Sequence, residues 1–256
     1  MFYPSDLTDA QWDLVKDYFI EPSVKRRGRK MWRDPRDLLD GIFYLSKTGC
    51  QWRQLPLDFP PWRTVHHYFQ KWSRSGLLDR VLQELNKKVR QQARKEALPT
   101  YGILDSQSVK TQSGGNERGV DGHKKIKGRK RHIAVDILGC LLAVVVHAAN
   151  IHDTKAAYCV VAKACRAYPT LQAFSGDEGY RKTAEEETRL LGKTLYISKK
   201  IKDDFAILPK RWVVERTFAW MNGFRRLSKD FEKNPRTSEA MVKLSCIKIA
   251  LNKIKY

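Results

Sequence analysis

The 256-residue chain carries 49 Lys and Arg against 28 Asp and Glu, a formal net charge of +21 that indicates a polyanionic partner. Because 42% of its residues are hydrophobic, it can bury a sizeable core, which excludes a disordered basic tail. It has no run of eighteen apolar residues and no basic-then-apolar N-terminus, so we expect a cytoplasmic protein without a membrane partner.

The first 98 residues are predicted to be helical. N-cap candidates at 5–9 precede a first helix, and Pro35 begins a second helix that Gly49 is placed to end. A third helix is predicted over 62–72 and a fourth over 77–97. Because a turn-forming segment follows at 98–100, we expect an all-helical domain over 1–98 and a second domain over 99–256.

The helices at 35–47 and 62–72 could form a helix-turn-helix variant that binds DNA, although the segment between them is longer than the usual three or four residues. The second helix would present Arg63, His66, His67 and Lys71 to DNA.

The basic segment 25–30 lies between the first two predicted helices. Its Arg27 and Arg29 could enter a minor groove, where arginine is attracted by the negative potential. A flexible basic linker is an equally good interpretation of this segment.

The pattern changes at residue 101. A short buried strand is predicted over 101–105, an exposed loop over 112–129, and a hairpin over 132–137 and 141–147. A helix capped by Asp153 or Thr154 follows, then a strand over 171–175, a helix over 183–191 and a strand over 194–198. Two helices, over 210–227 and 238–253, complete this order, which is typical of an α/β domain.

Two aspartates follow apolar runs. This position is typical of the carboxyl ends of strands, where the functional residues of α/β folds usually lie. The two aspartates are Asp105 and Asp177, and a third acid, Glu215, lies in the helix over 210–227. Carboxylates on converging elements bind Mg²⁺ well, and two such ions support displacement at phosphorus. With a basic surface, this predicts phosphodiester chemistry on nucleic acid.

Helix geometry places Glu215 on a polar stripe. At about 100° per residue, Arg211, Glu215, Asn222 and Arg226 share one sector, opposite the apolar side chains. Arginines there could grip a phosphate beside the metal ions. A solvated helix face with an Arg211–Glu215 ion pair, worth about 0.3–0.5 kcal/mol, explains the spacing equally well.

The segment 124–131 holds six basic residues in eight. We predict that they contact phosphates, with an affinity that falls steeply with salt, while a solvated loop is the alternative. The six are Lys124, Lys125, Lys127, Arg129, Lys130 and Arg131.

Four separated segments carry a resemblance to a known family: TGCQWR at 48–53, DSQSVK at 105–110, KGRKRH at 127–132 and RWVVERTFAW at 211–220. From about Leu7 to Leu251 the chain resembles bacterial insertion-sequence transposases of the DDE type, in the insertion-sequence-five family. The resemblance implies a ribonuclease-H-like mixed-sheet catalytic core, with Asp105, Asp177 and Glu215 as catalytic and metal-binding residues.

The same resemblance implies an enzyme that binds the terminal inverted repeats of its element, cleaves the ends and joins the 3′-hydroxyl to target DNA. Its cofactor would be Mg²⁺, for which Mn²⁺ can substitute. It would act on double-stranded DNA as a homo-oligomer, at least a dimer. A nuclease of the same fold without strand transfer and an inactive, transposase-derived DNA-binding protein are the alternatives.

Two positions depart from the family signature, which is tyrosine, two residues, arginine, three residues, glutamate, six residues, lysine. Leu208 stands at the tyrosine position and Asn222 at the lysine position. Arg225 or Arg226 could supply the missing positive charge. Glu178, directly after Asp177, is predicted to be exposed rather than a ligand.

Overall fold

Four helices form the first part of the chain in this computed structural model, which describes residues 3–20, 34–112, 114–197 and 211–255. Thr8 begins the first with a capping box, and Asp34 caps the second, which ends at Gly49 with φ 73° as expected. The helical prediction for this region is confirmed. The helices are α1 Asp9–Phe19, α2 Pro35–Thr48, α3 Trp62–Arg74 and α4 Leu77–Gln92.

A six-stranded mixed sheet follows, with β3 at its structural centre. β3 pairs antiparallel with β1 on one side and with β2 and β4 on the other, and β5 and β6 continue from β1 in parallel. The strands are β1 Tyr101–Lys110, β2 Gly119–Asp121, β3 Ile126–Val135, β4 Leu141–Ala148, β5 Ala173–Gly176 and β6 Thr194–Ile197.

Helices provide the crossovers that parallel strands require. α5, Asp153–Ala167, precedes β5, and α6, Thr183–Leu190, precedes β6. The four antiparallel strands β1–β4, joined through helices to the parallel strands β5 and β6, give the ribonuclease-H-like mixed α/β sheet, so the predicted fold class is confirmed.

Two predicted elements have different bounds in the structure. β1 does not end at Asp105 but continues to Lys110, because β3 offers it hydrogen-bonding partners as far as Gly128. β3 begins at Ile126, so much of the predicted loop over 112–129 is strand.

The predicted helix over 210–227 is broken into α7 Arg211–Asn222 and α8 Arg225–Ser228. Phe224 has an extended backbone (φ −105°, ψ 104°), and its ring is buried. The stripe on which we placed both Glu215 and Arg226 therefore does not continue beyond α7.

The last helix, α9 Pro235–Lys253, packs against α2, α3, α4 and β4. One hydrophobic core consequently joins Val81 of α4, Val144 of β4 and Ile247 of α9. The division into domains at residues 98 and 99 stays a prediction. Within the described ranges, no helix is both long and apolar enough to span a membrane.

Candidate active site

The parallel pairing of β1 with β5 aligns the first two predicted acids. Ile103 pairs with Ser175 at the end of this register, and the same register continued by two residues brings Asp105 level with Asp177. Neighbouring strands lie about 4.7–4.9 Å apart, and β5 ends at Gly176. The two half-buried residues therefore fall at the same level of neighbouring chain segments, Asp105 within β1 and Asp177 just past the end of β5.

Backbone amides orient both carboxylates. Oδ1 of Asp105 accepts the N–H of Ser106 at 2.7 Å, and Oδ1 of Asp177 accepts the N–H of Gly179 at 2.9 Å. The second bond caps the 3₁₀ turn Glu178–Tyr180, which begins directly after Asp177. A short strand and a tight turn thus give Asp177 a defined position.

Glu215 lies on α7, which packs against β1. Val214 and Phe218 of α7 belong to the same core as Ile103 of β1, while Glu215, next to Val214 in the helix, is exposed. Asp105 shares the Ile103 face of β1, because residues two apart in a strand point the same way. Glu215 and Asp105 are therefore on the same side of the sheet.

The donor set suits a hard divalent cation. Mg²⁺ is usually bound by one or two carboxylates and completed by waters and phosphates, so Asp105 and Asp177 are sufficient protein ligands to begin such a site. Across the described ranges, no three His, Cys, Asp or Glu side chains are close enough to enclose a metal ion.

A further carboxylate, Asp153, lies beside Asp177. A methyl group added to Gly179 would be 3.0 Å from Oδ1 of Asp177 and 3.3 Å from Oδ2 of Asp153. Our prediction that Asp153 or Thr154 caps α5 is wrong, because the His152 side chain accepts the N–H of Thr154 and is the cap. The Asp153 carboxylate instead pairs with Lys130, 2.8 Å away.

The electrostatics of Tyr180 report the concentration of negative charge. Burial raises the pKa of its hydroxyl well above the ordinary value, and Asp105, Asp153 and Asp177 raise it further. Three carboxylates thus act on one buried hydroxyl.

The basic run 124–131 divides into exposed and buried members. Lys124, Lys125 and Lys127 are exposed. Arg129 is fully buried, where it pairs with Asp230 at 3.2 Å and donates to the carbonyl of Glu232.

The remaining two members of the run are also buried. Arg131 donates to the carbonyl of Leu227 at 2.7 Å, and Lys130 donates to Asp153. Phosphate contact is contradicted for Arg129, Lys130 and Arg131, because strand pairing turns these side chains into the interior, where protein groups bind them.

The arginines after α7 also differ from the prediction. Arg226 is buried, forms an ion pair with Glu232 at 2.9 Å and donates to the Cys50 carbonyl at 3.1 Å. It therefore does not replace the lysine of the family signature, whereas Arg225 is exposed. Asn222, at the lysine position, is exposed as well.

Glu178 is half-exposed and pairs with Arg181 at 2.7 Å, within the segment of the 3₁₀ turn. The ion pair with Arg181 accounts for the position of the Glu178 carboxylate, so a metal ion is not needed to explain it. Arg27, Arg29 and Leu208 lie outside the described residues.

α3 presents a basic surface. Arg63, His67 and Lys71 are exposed at intervals of four residues, opposite the buried side chains of the helix. His66 is half-buried against Trp52, with ring centroids 4.8 Å apart, and burial lowers its pKa. The segment between α2 and α3 contains a 3₁₀ turn, Trp52–Gln54, and is longer than a helix-turn-helix connection.

The family matches in both halves of the chain are to transposases. Residues 7–82 match the family described as "Putative transposase of IS4/5 family", and residues 96–251 match "Transposase DDE domain", which is more than half of the chain. In Burkholderia cepacia, the "Putative transposase for insertion sequence element IS402" is 32% identical over 143 residues, covering 50% of this chain and 65% of that protein.

A second relative is matched over a shorter stretch. The "Uncharacterized protein y4sN" of Sinorhizobium fredii is 28% identical over 76 residues, covering 30% of this chain and 59% of that protein. The chain thus spans less than two thirds of the length of these first two relatives. The catalytic core domain of BIV integrase gives a TM-score of 0.35 at 14% identity, covering 56% of this chain and 81% of that one, a likeness too distant to carry a conclusion.

Proposed function

This chain belongs to the transposase DDE domain family, and we propose that it cleaves and joins DNA with Asp105, Asp177 and Glu215 as its acidic active-site residues. The observation that carries the proposal is the parallel register of β1 with β5, which brings Asp105 level with Asp177 when it is continued two residues past its last pair. A net charge of +21 suits a polyanionic substrate.

The carboxylates of Asp105 and Asp177 would hold the metal, and Glu215 would approach from α7 on the same side of the sheet. Mg²⁺, or Mn²⁺ in its place, supplies Lewis acidity at phosphorus and a water of lowered pKa. The amide of Gly179 orients Asp177, and β3 fixes Asp105 by pairing with it along β1. Because both carboxylates are held in place before DNA binds, they need to move little during the reaction.

Exposed lysines would extend the DNA-binding surface along the sheet. Asp105 is level with Ile133 of β3, five residues from Gly128, which corresponds to about 17 Å along the strand. Lys124, Lys125 and Lys127 lie beyond that point and would bind phosphates several nucleotides from the reacting one. Arg225 and the exposed face of α3, with Arg63, His67 and Lys71, would add contacts that position the duplex.

The complete reaction we propose is that of an insertion-sequence transposase. The protein would bind the terminal inverted repeats of its element, cleave the ends, and join the exposed 3′-hydroxyl to target DNA. Because two ends must be brought together, it would act as at least a homodimer on double-stranded DNA in the bacterial cytoplasm.

The test uses the full chain and short duplexes carrying the inverted repeats that flank its coding region, with Mg²⁺ or Mn²⁺. We expect cleavage at the repeat ends, loss of cleavage in Asp105→Asn and Asp177→Asn, and retention in the control Asp13→Asn, whose carboxylate is exposed on α1. Undiminished cleavage by Asp105→Asn would refute the assignment.

The products separate the alternatives. Cleaved ends joined to a second duplex support strand transfer, whereas hydrolysed ends without joined products identify a nuclease. Binding without cleavage by the unaltered chain identifies a DNA-binding protein.

A further inference from the structure

A buried tyrosine anchors the turn that carries Asp177. Tyr180 ends the 3₁₀ turn Glu178–Tyr180, and only 1% of its surface is exposed. Its hydroxyl lies 2.9 Å from Nδ1 of His132, on β3. The turn after β5 is thereby linked to a strand that is not adjacent to β5 in the sheet.

His132 in turn lies next to the strand of Asp105. It is directly opposite Ser106 in the β1–β3 register, one residue after Asp105. His132 is fully buried, and burial, together with the adjacent His147, lowers its pKa to about 3, so the ring is neutral. A neutral imidazole has one N–H donor and one acceptor nitrogen.

The surroundings assign the proton of His132. Nε2 faces Oδ1 of Asp153 at 3.7 Å and has no hydrogen-bond partner among the described residues. Placing the proton on Nε2 directs it toward this carboxylate and leaves Nδ1 to accept the hydroxyl of Tyr180, an assignment made from the network. The tyrosine is then hydrogen-bonded to the histidine, and the histidine faces the aspartate at 3.7 Å, in a polar chain of three residues.

Asp153 connects this chain to β1 and makes a second contact with β3. Its Oδ1 accepts Nζ of Lys130 at 2.8 Å, and its Oδ2 accepts the hydroxyl of Ser106 at 3.3 Å. Lys130 also donates to the carbonyl of Ile151, just before α5. Groups from β1, β3, α5 and the turn after β5 are therefore bound together behind Asp105 and Asp177.

We propose that Tyr180, His132 and Asp153 are positioning residues that hold the turn of Asp177 at a fixed distance from Asp105. Tyr180 and His132 cannot touch DNA because they are buried, and the Asp153 carboxylate is bound by Lys130 and Ser106. Their effect passes through the Asp177 turn, much as hydrogen-bonded outer groups orient metal ligands in other proteins. The inference rests on the proposed function of Asp105 and Asp177.

The main test compares two tyrosines of the full chain. Tyr180→Phe removes only the hydroxyl, which bonds to His132 and to Ser106. Tyr168→Phe is the matched control, because Tyr168 is equally buried. Its hydroxyl accepts a hydrogen bond from the Asn86 side-chain amide at 3.0 Å and, in the described part of the chain, has no bond to His132, Ser106 or Asp153. For each variant we would measure Tm, binding of Mn²⁺ alone by the loss of its free EPR signal, and kcat and KM on the inverted-repeat duplex.

We expect Tyr180→Phe to weaken Mn²⁺ binding or lower kcat by about 10- to 100-fold, with an unchanged KM for DNA. Tyr168→Phe should lower Tm comparably without either effect. His132→Leu should resemble Tyr180→Phe, the double variant should be no worse than either, and His132→Asn, which keeps an acceptor near Nδ1, should retain more activity.

Asp177→Asn, assayed in parallel, separates the two proposals. If it cleaves as well as the unaltered chain, the proposed function fails. If it is inactive while Tyr180→Phe binds Mn²⁺ and cleaves normally, or while the two tyrosine variants show equal losses, the positioning inference is overturned. Should Tyr180→Phe fail to fold, the same measurements on Asp153→Asn decide the question.

Discussion

Replacing Arg129 with leucine should destabilise the fold severely, although the residue lies in a run that resembles a DNA-binding segment. The guanidinium is fully buried, 3.2 Å from Asp230. Removing one partner of a buried ion pair costs about 3–5 kcal/mol, because the other charge stays buried. The carbonyls of Asn116, Glu232 and Lys233 also lose a donor, each worth about 0.5–1.5 kcal/mol.

The loss is a large part of the 5–15 kcal/mol or so that stabilises an ordinary domain. Urea unfolding, followed by the fluorescence of the seven tryptophans, would measure it. Lys127→Leu, an exposed change in the same strand, should stay within about 0.5 kcal/mol of the unaltered chain. Arg129→Lys should be intermediate, since lysine keeps the charge but lacks the planar fork. A loss below about 1 kcal/mol for Arg129→Leu, together with weakened DNA binding, would refute the structural role.

Three further outcomes are expected. Changing all three exposed lysines of the basic run to glutamine should reduce the slope of log K for DNA against log salt by about 1 per lysine, and an unchanged slope contradicts phosphate contact. Burial raises the pKa of Asp40 from 3.8 to about 7, so the folded state binds this proton more tightly than the unfolded state, and stability should fall as pH rises from 4 to 7. Asp40→Asn should flatten that fall in thermal unfolding, and an identical pH profile would exclude this cause. Arg226→Ala should cost about 3–5 kcal/mol by stranding Glu232, whereas exposed Arg225→Ala should cost under about 0.5; the opposite order argues against the burial of Arg226.

Local patterns predicted much of the architecture. Proline and glycine identified the bounds of α2, and apolar runs identified the strand that contains Asp105 and the strand that ends just before Asp177. These signals are readable because they depend on the preferences of neighbouring residues.

Features that depend on distant partners were not predictable in the same way. The density of basic residues in the sequence could not show that Arg129 binds Asp230, 101 residues later. Nor could it show that Arg226 donates to the carbonyl of Cys50, 176 residues earlier. The break after α7 was also missed, because Phe224 leaves the helix to bury its ring in the tertiary core. Asp153 was predicted to be a helix cap because it stands at the start of a helix pattern. Nothing in the sequence indicated that its carboxylate pairs with Lys130.

The position of α9 affects when the chain can fold during synthesis. Its buried side chains complete the packing of α2, α3 and α4, yet its first residue, Pro235, comes 143 positions after the end of α4 at Gln92 (235 − 92). A ribosome therefore releases the early helices long before the segment that covers them. We expect nascent chains that stop short of α9 to expose apolar surface, to require chaperones and to be degraded rapidly, so that a stable helical region first exists when synthesis has passed Lys253.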